Sequence, residues 1–443
     1  LQDRHAVLAV EAVRAGEWSV LSARLRQLRL DIHARGQAYQ RQHADVERCG
    51  DRVSDRAGVR ADHCPDVSPG CVRKMSGKLV FVVGTRAQLI KVAPVVVACE
   101  QMKLSAVMLM TGQHHETMQD LIDEFGITSP QIPVVQATER STILSLLRWV
   151  PSAYRGIKDK LSAYASAPGA KAYVLVHGDT LSTFIASLAA RRCKACVVHL
   201  ESGLTSGRLL DPFPEELFRR LVFRMTDIAM CPSAASAEYM RRSGCDMVID
   251  TEGNTIIDAV RLTEAVNITP DAEDPYLVVS LHRFQNLYKA KRLLQLVELI
   301  ERLASHLRIQ FVLHPATRGR LVKEGLLDRL ASNAGITTLP RMGYRKFIRL
   351  AAGAACVLTD GGSNQEELAA LGVPVIVMRS RTERPDGLGA NAVLEGDLPE
   401  GVADYIISGN FKKLRCTPNV LEKSGPSDRI ARFFAEGGMT GNK

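Results

Sequence analysis

Short apolar runs recur between residues 78 and 377, with helix-like stretches between them. This alternation constrains the fold more than any other feature of the chain. The runs 78–84, 105–110, 172–177, 195–199, 227–230 and 248–250 are brief and continuously apolar. A strand covered on both faces reads this way, because neither face can stay polar. Helical stretches at 86–101, 180–192, 214–225 and 233–243 separate them. The segment 269–275, Thr-Pro-Asp-Ala-Glu-Asp-Pro, is polar and proline-flanked, as a linker is. The alternation then restarts, with runs at 276–280, 309–314, 336–338, 355–358 and 374–377. Two successive βα series predict an α/β chain of two doubly wound domains facing a central cleft. Ligand is expected beside the carboxyl ends of the strands. The expected division is an N-terminal domain over 75–270, a C-terminal domain over 271–425, and a helix within 426–443 that could cross back to the first domain.

Residues 1–74 lack this pattern. They hold twelve Arg and one Lys against ten acidic side chains, and no Phe. A helix over 6–48 would have only a weak apolar face. The folded body is expected to begin near Met75, with 1–74 a poorly ordered or non-native extension. A basic arm or transit peptide is the alternative, and ten acidic residues speak against a transit peptide. The start Leu1-Gln2-Asp3-Arg4-His5 lacks the basic-then-apolar layout of a secretory signal. The chain has no run of about 18 apolar residues, so no membrane span is expected. With 443 residues, 46% of them hydrophobic, two cores need no disulfide staples. Ten scattered cysteines therefore read as thiols of a reducing cytoplasm. A net charge of +9 suits anionic small molecules as well as nucleic acid. The spread of the basic residues, 5% aromatics and the absence of helix-turn-helix or RNP patterns argue against nucleic acid.

In such folds chemistry sits where strands end. After the first strand come Gly84-Thr85-Arg86-Ala87-Gln88-Leu89-Ile90-Lys91, a glycine turn into a helix N-terminus that favours an anion, with Arg86 and Lys91 as fixed cations. The Walker spacing is absent. After the second come Thr111-Gly112-Gln113-His114-His115-Glu116, read as a hydrogen-bonding loop rather than a metal site, since no second ligand cluster supports it. Asp179 follows the next strand in His177-Gly178-Asp179-Thr180, and Glu201 follows the one after in His199-Leu200-Glu201-Ser202. Neighbouring strand ends thus bring two acids to one side of one cleft. Pro214-Glu215-Glu216 adds a third set, with Arg219 a turn further; acids at a helix start are equally a plain capping signal. Crowded carboxylates raise some pKa values, which suits general acid/base chemistry. In the second half, strands end in His282-Arg283-Phe284-Gln285-Asn286, His314-Pro315 and Asp360-Gly361-Gly362-Ser363. Gly361, Gly362 and Ser363 entering a helix can present N–H groups to a phosphate, and Glu366 or Glu367 can meet ribose hydroxyls. The Cys193-Lys194-Ala195-Cys196 pair has no second pair and reads as small buried hydrophobes.

In order, the motifs GTRAQLIKVAP (84–94), TGQHHETM (111–118), VHGDTLSTFIASLAA (176–190), HLESGL (199–204), PFPEE (212–216), EGNTIIDA (252–259), HRFQN (282–286), TDGGSNQEE (359–367) and LGVPVIVMRSRTERPDG (371–387) resemble the non-hydrolysing UDP-N-acetylglucosamine 2-epimerase family. The resemblance implies two Rossmann-like domains in a glycosyltransferase-B-like arrangement. It implies removal of the sugar C2 proton with loss of UDP, then re-addition of UDP with reprotonation from the opposite face, without metal or nicotinamide. By position, Asp179, Glu201, Glu215 and His282 match the family's catalytic group. Arg86, Lys91, Arg219, His314 and the 361–367 turn match its nucleotide-sugar contacts, and Gln113, His114 and Arg283 are taken as further substrate contacts. A homodimer is also implied. Four motifs depart from the family pattern: Ala87-Gln88 replace Pro-Glu, Thr205 replaces Arg, Gln285 replaces Glu, and the hydroxyl of Ser363 stands two places late. The two Gln exchanges are expected to remove charge near the ligand. A glycosyltransferase, a hydrolysing 2-epimerase and a non-catalytic nucleotide-sugar sensor remain the alternatives.

Overall fold

The computed structural model describes residues 77–112, 118–135, 143–165, 171–205, 215–270, 272–382, 386–420 and 425–437. The expectations for residues 1–74, including a helix over 6–48, lie outside the described residues.

The first lobe is a seven-stranded parallel sheet in the order β3-β2-β1-β4-β5-β6-β7. Its strands are β1 (Gly77–Val83), β2 (Ala106–Met110), β3 (Gln131–Pro133), β4 (Lys171–His177), β5 (Cys196–Leu200), β6 (Ile228–Cys231) and β7 (Met247–Asp250). Why β1 is apolar at every position from Leu79 to Val83 follows from where its side chains go. Leu79, Phe81 and Val83 enter one apolar cluster, while Val80 and Val82 enter the cluster on the other face. Alternation of side chains across the strand feeds both. Phe81 stands opposite Met108 of β2 and Leu175 of β4, which fixes the register at the sheet centre.

The second lobe repeats the plan with six parallel strands in the order β10-β9-β8-β11-β12-β13. They are β8 (Tyr276–Ser280), β9 (Arg308–Leu313), β10 (Ile336–Pro340), β11 (Cys356–Thr359), β12 (Val375–Val377) and β13 (Ala392–Leu394). In each sheet the first strand lies between the second and the fourth, so the strand order reverses there. That crevice is where open α/β sheets place ligands. Both lobes share one apolar cluster, in which Val278, Val357 and Ile348 join Phe81 and Leu89.

Eight helices matter below: α1 (Arg86–Gln101), α2 (Gln119–Phe125), α3 (Leu181–Arg192), α4 (Glu215–Phe223), α5 (Ile256–Arg261), α6 (Tyr344–Ala352), α7 (Gly362–Leu371) and α8 (Pro426–Ala435). Thr85 caps α1 by accepting the Gln88 N–H, and Thr180 caps α3 by accepting the Thr183 N–H. Helix α8 packs on α1 and α5, with the Phe434 ring 5.4 Å from that of Tyr173. Among the described residues, no helix is long and apolar enough to cross a membrane.

Candidate active site

On the first lobe, β4 and β5 end beside each other, and Val176 pairs with His199 in register. Asp179 stands just past β4 and accepts from Arg219 Nη2. Arg219 is in turn held by Glu216, whose Oε2 accepts from Arg219 Nη1 at 2.8 Å and whose Oε1 accepts from Arg220 Nε at 3.1 Å. Glu216 is fully buried, and Thr205 also donates to it. Glu215 is exposed at the first residue of α4. Glu201 follows β5 with φ 59°, an uncommon left-handed backbone for a residue with a Cβ. Its carboxylate accepts from Lys91 Nζ at 3.0 Å and from Asn254 Nδ2 at 3.0 Å, and it lies 3.1 Å from His177 Nε2.

Lys91 reaches across to the second lobe as well. Its Nζ lies 2.9 Å from Glu366 Oε2 of α7. The ammonium and both carboxylates are less than a tenth exposed. Burial at this level requires such pairing, because an isolated charge would be expelled or neutralised.

On the second lobe, Asp360 is fully buried after β11. It accepts from the backbone N–H groups of His282 (3.0 Å) and Arg283 (2.9 Å) and from Asn286 Nδ2 (2.9 Å). The loop after β8 is thereby fixed, and the His282 ring lies 4.6 Å from the His314 ring, tilted by 37°. A side chain at Gly361 would bring its Cβ to 3.1 Å from His282 Cε1, so the imidazole lies close against the turn backbone. Burial pulls the His282 pKa down, partly countered by Asp360, while Arg283 and Arg341 push it down further.

One cavity between the lobes is lined by Arg86, Ala87 and Ile90 of α1 and by His282, His314, Arg341, Tyr344, Ser363 and Glu367 of the second lobe. Burial pushes Glu367 up to about 8, with the Glu366 charge adding to the rise and Lys91 and the Tyr344 hydroxyl opposing it. Arg86 grips Asp120 of α2 with both terminal nitrogens, at 2.5 and 2.6 Å, which holds the Asp120 carboxyl below its ordinary value.

Of the residues singled out from sequence, Arg86, His282, His314, Ser363 and Glu367 meet in this cavity. Lys91 joins Glu201 to the second lobe, Asp179 pairs with Arg219, and Arg283 contributes its backbone N–H to the Asp360 anchor. The Gly361 N–H is taken by Thr359 Oγ1 at 3.1 Å, while the first turn of α7, through Ser363 and Asn364, faces the cavity. Gln113 and His114 lie outside the described residues. Gln88 turns into the fold rather than toward the cavity, which Ala87 lines instead; Gln285 is exposed. Sequence reasoning named Glu216 within an acidic set but gave it no role of its own, and passed over Asn254, Asp120, Arg341 and Tyr344. Asn254 stands inside a quoted motif and was within reach; Asp120 carries no sequence signal. Among the described residues no group of three His, Cys, Asp or Glu could hold a metal ion. Burial pushes the Cys196 and Cys231 thiols up to about 12.

Two parallel sheets with acids, imidazoles and guanidinium groups at facing strand ends define a two-lobed α/β enzyme of the glycosyltransferase-B-like class. The chain belongs to the UDP-N-acetylglucosamine 2-epimerase family, whose model matches residues 98–406. It is 30% identical over 380 residues to the UDP-N-acetylglucosamine 2-epimerase of Methanocaldococcus jannaschii, spanning 81% of this chain and 99% of that protein. A structure of Staphylococcus aureus MnaA with UDP superposes with TM-score 0.66 at 27% identity, covering 81% of this chain and 95% of that one. The Neisseria meningitidis UDP-GlcNAc 2-epimerase bound to UDP-GlcNAc gives TM-score 0.63 at 26% identity, with 81% and 98% covered.

Proposed function

We propose that the protein inverts C2 of a UDP-sugar, UDP-N-acetylglucosamine to UDP-N-acetylmannosamine, through a glycal intermediate. What supports this reading is the cavity in which Arg86 of the first lobe meets His282, His314, Ser363 and Glu367 of the second, with Lys91 joining Glu201 to Glu366 from lobe to lobe. A first-lobe carboxylate, among Asp179, Glu201 and Glu215, takes the C2 proton. The C2–H electron pair becomes the C1=C2 double bond as the C1–O bond breaks, and UDP leaves with that bond's electrons. Re-addition of UDP at C1 and delivery of a proton to the other face of C2 complete the inversion. Arg86 and the first turn of α7 stabilise the diphosphate, and His282 and His314 donate hydrogen bonds to it. Glu367, carrying its proton near neutral pH, can donate as well as accept beside the ribose.

Incubation with UDP-N-acetylglucosamine in D₂O, followed at C2 by NMR, tests the reading. Deuterium at C2 together with manno product is expected; neither appearing rejects it. Free N-acetylmannosamine with UDP would point to hydrolysis, and UDP release only with an acceptor sugar to glycosyl transfer. The proposal includes a homodimer, checked by sedimentation velocity, and a reducing cytoplasmic setting, consistent with seven free cysteines among the described residues. It also makes residues 1–74 dispensable: a chain starting at Met75 should keep its activity.

A further inference from the structure

The Asp179 carboxylate is aimed by a turn whose two preceding carbonyls are both gripped from inside the protein. β4 ends at His177, and the chain passes through Gly178 at φ 65°, a conformation that glycine adopts at little cost, before Asp179. The His177 carbonyl accepts from Gln88 Nε2 at 2.8 Å and from Thr183 Oγ1 at 2.6 Å. The Gly178 carbonyl accepts from His199 Nε2 at 2.8 Å. Gln88 is 3% exposed and His199 is fully buried.

The chemistry of each contact is determined. A carbonyl oxygen only accepts, so His199 carries its proton on Nε2. Its Nδ1 is then an acceptor and takes the Ser202 hydroxyl hydrogen at 3.0 Å. Gln88 is likewise oriented: Oε1 accepts the Gly84 N–H at 2.9 Å and Nε2 donates. One amide therefore ties the end of β1 to the end of β4, at the point where the strand order reverses. Burial takes His199 down to about 4, so this imidazole stays neutral at working pH and exchanges no proton with substrate.

We infer that Gln88 and His199 are positioning residues that hold the Gly178–Asp179 turn so that the Asp179 carboxylate meets the reacting ring. The inference rests on the reading of Asp179 as an acid/base group. Neither side chain lines the cavity, so losing either should slow the chemical step and leave substrate affinity nearly intact.

The test compares Gln88→Met, His199→Leu, His199→Gln, Ser202→Ala and Asp179→Asn in the full chain, with UDP-N-acetylglucosamine as probe. Turnover per folded enzyme, KM, C2 deuterium wash-in and thermal midpoint are measured for each. Gln88→Met and His199→Leu keep approximate volume and remove the donor. We expect kcat to fall about 10- to 100-fold, as sub-ångström misplacement does, with wash-in falling in parallel and KM within about 3-fold. His199→Gln restores a donor and should recover much of the loss. Ser202→Ala keeps the tautomer that the Gly178 carbonyl sets but strips Nδ1 of its hydroxyl partner and loosens the ring, and should cost kcat about 3-fold or more. This small change keeps the test open should the larger variants fail to fold. Unchanged kcat per folded enzyme in Ser202→Ala and in the donor-free variants that fold, while Asp179→Asn is inactive, overturns the positioning role alone. An active Asp179→Asn overturns the reading of Asp179 instead.

Discussion

The two lobes use the same strand-end positions in opposite ways. Asp179 follows β4 and Asp360 follows β11, and these strands occupy equivalent places in their sheets. Asp179 retains a quarter of its side-chain exposure, while Asp360 has none. The difference lies in which backbone groups each turn must satisfy. In the first lobe the turn presents carbonyls inward, so neutral side-chain donors hold it and the carboxylate is left to pair with Arg219. In the second lobe the loop presents N–H groups inward, so a carboxylate is consumed as the anchor and the imidazole of His282 is left outward. A buried polar group has to be paired, and the sign of the unpaired backbone group selects the partner.

Exchanging the two aspartates for uncharged residues should therefore give opposite outcomes, and this is the largest effect expected. Asp360→Ala strands two backbone N–H groups and removes one of the acceptors of the Asn286 amide. It should cost about 3 kcal/mol or more of stability, measured by urea unfolding. Asp179→Asn should leave unfolding within about 1 kcal/mol while turnover falls roughly 10²- to 10⁴-fold. A stable, inactive Asp360→Ala would break the comparison.

A pH titration of stability sharpens it. His199 is neutral when folded, with its pKa taken from 6.5 to about 4 by burial. The unfolded chain binds that proton more readily, so stability present above pH 6.5 is lost as pH falls toward 4, on the order of 3 kcal/mol. Glu367 on the other lobe is shifted the opposite way, from 4.5 to about 8. The folded state there holds the extra proton, so its contribution is present below pH 4.5 and is lost as pH rises through 8. His199→Gln should flatten the acid limb of a thermal-midpoint profile and Glu367→Gln the alkaline one. Identical profiles for both variants would count against the assignments.

How far the sequence could be read follows from the same physics. Interior strands were legible because burial on both faces leaves an unbroken apolar run. The edge strands β3 and β13 are three residues each, and Gln131-Ile132-Pro133 carries no such run; each exists through hydrogen bonds to a neighbour. Site residues at strand ends were legible as positions, but adjacent acids were not separable. Glu215 and Glu216 differ by about 100° around a helix; one is exposed and the other buried beneath Arg219 and Arg220. Glu366 and Glu367 divide likewise, one toward Lys91 and the other toward the cavity. Gln88 read as a lost charge near ligand, whereas its amide supplies the donors that the β4 turn needs.

Helix α8 packs on α1 and α5 of the first lobe, and one carboxylate secures it there. Asp258 of α5 accepts the Ser427 N–H at 2.7 Å at the start of α8 and pairs with Arg261 at 3.0 Å. Asp258→Ala removes a helix-start acceptor, a loss of about 1–2 kcal/mol. It should expose 426–435 to limited proteolysis before any strand of either sheet. Simultaneous cleavage of both lobes would show that α8 is not a separable attachment.

The smallest expected effect concerns a cavity cation engaged within its own lobe. Arg86 lines the cleft while both its terminal nitrogens are forked onto Asp120, whose side chain is 45% exposed. An exposed pair of this kind contributes about 0–1 kcal/mol to stability, so Asp120→Asn should fold normally. A carboxylate beside Arg86 offsets the positive charge that a diphosphate would meet. Removing it should lower KM for UDP-N-acetylglucosamine about 2- to 5-fold with kcat unchanged, and the gain should shrink in about 0.5 M salt, where surface charges are screened. A higher KM would mean instead that Asp120 holds Arg86 in place for the diphosphate. The first lobe would then fix its cation with a carboxylate, as the second lobe fixes its His282 loop with Asp360.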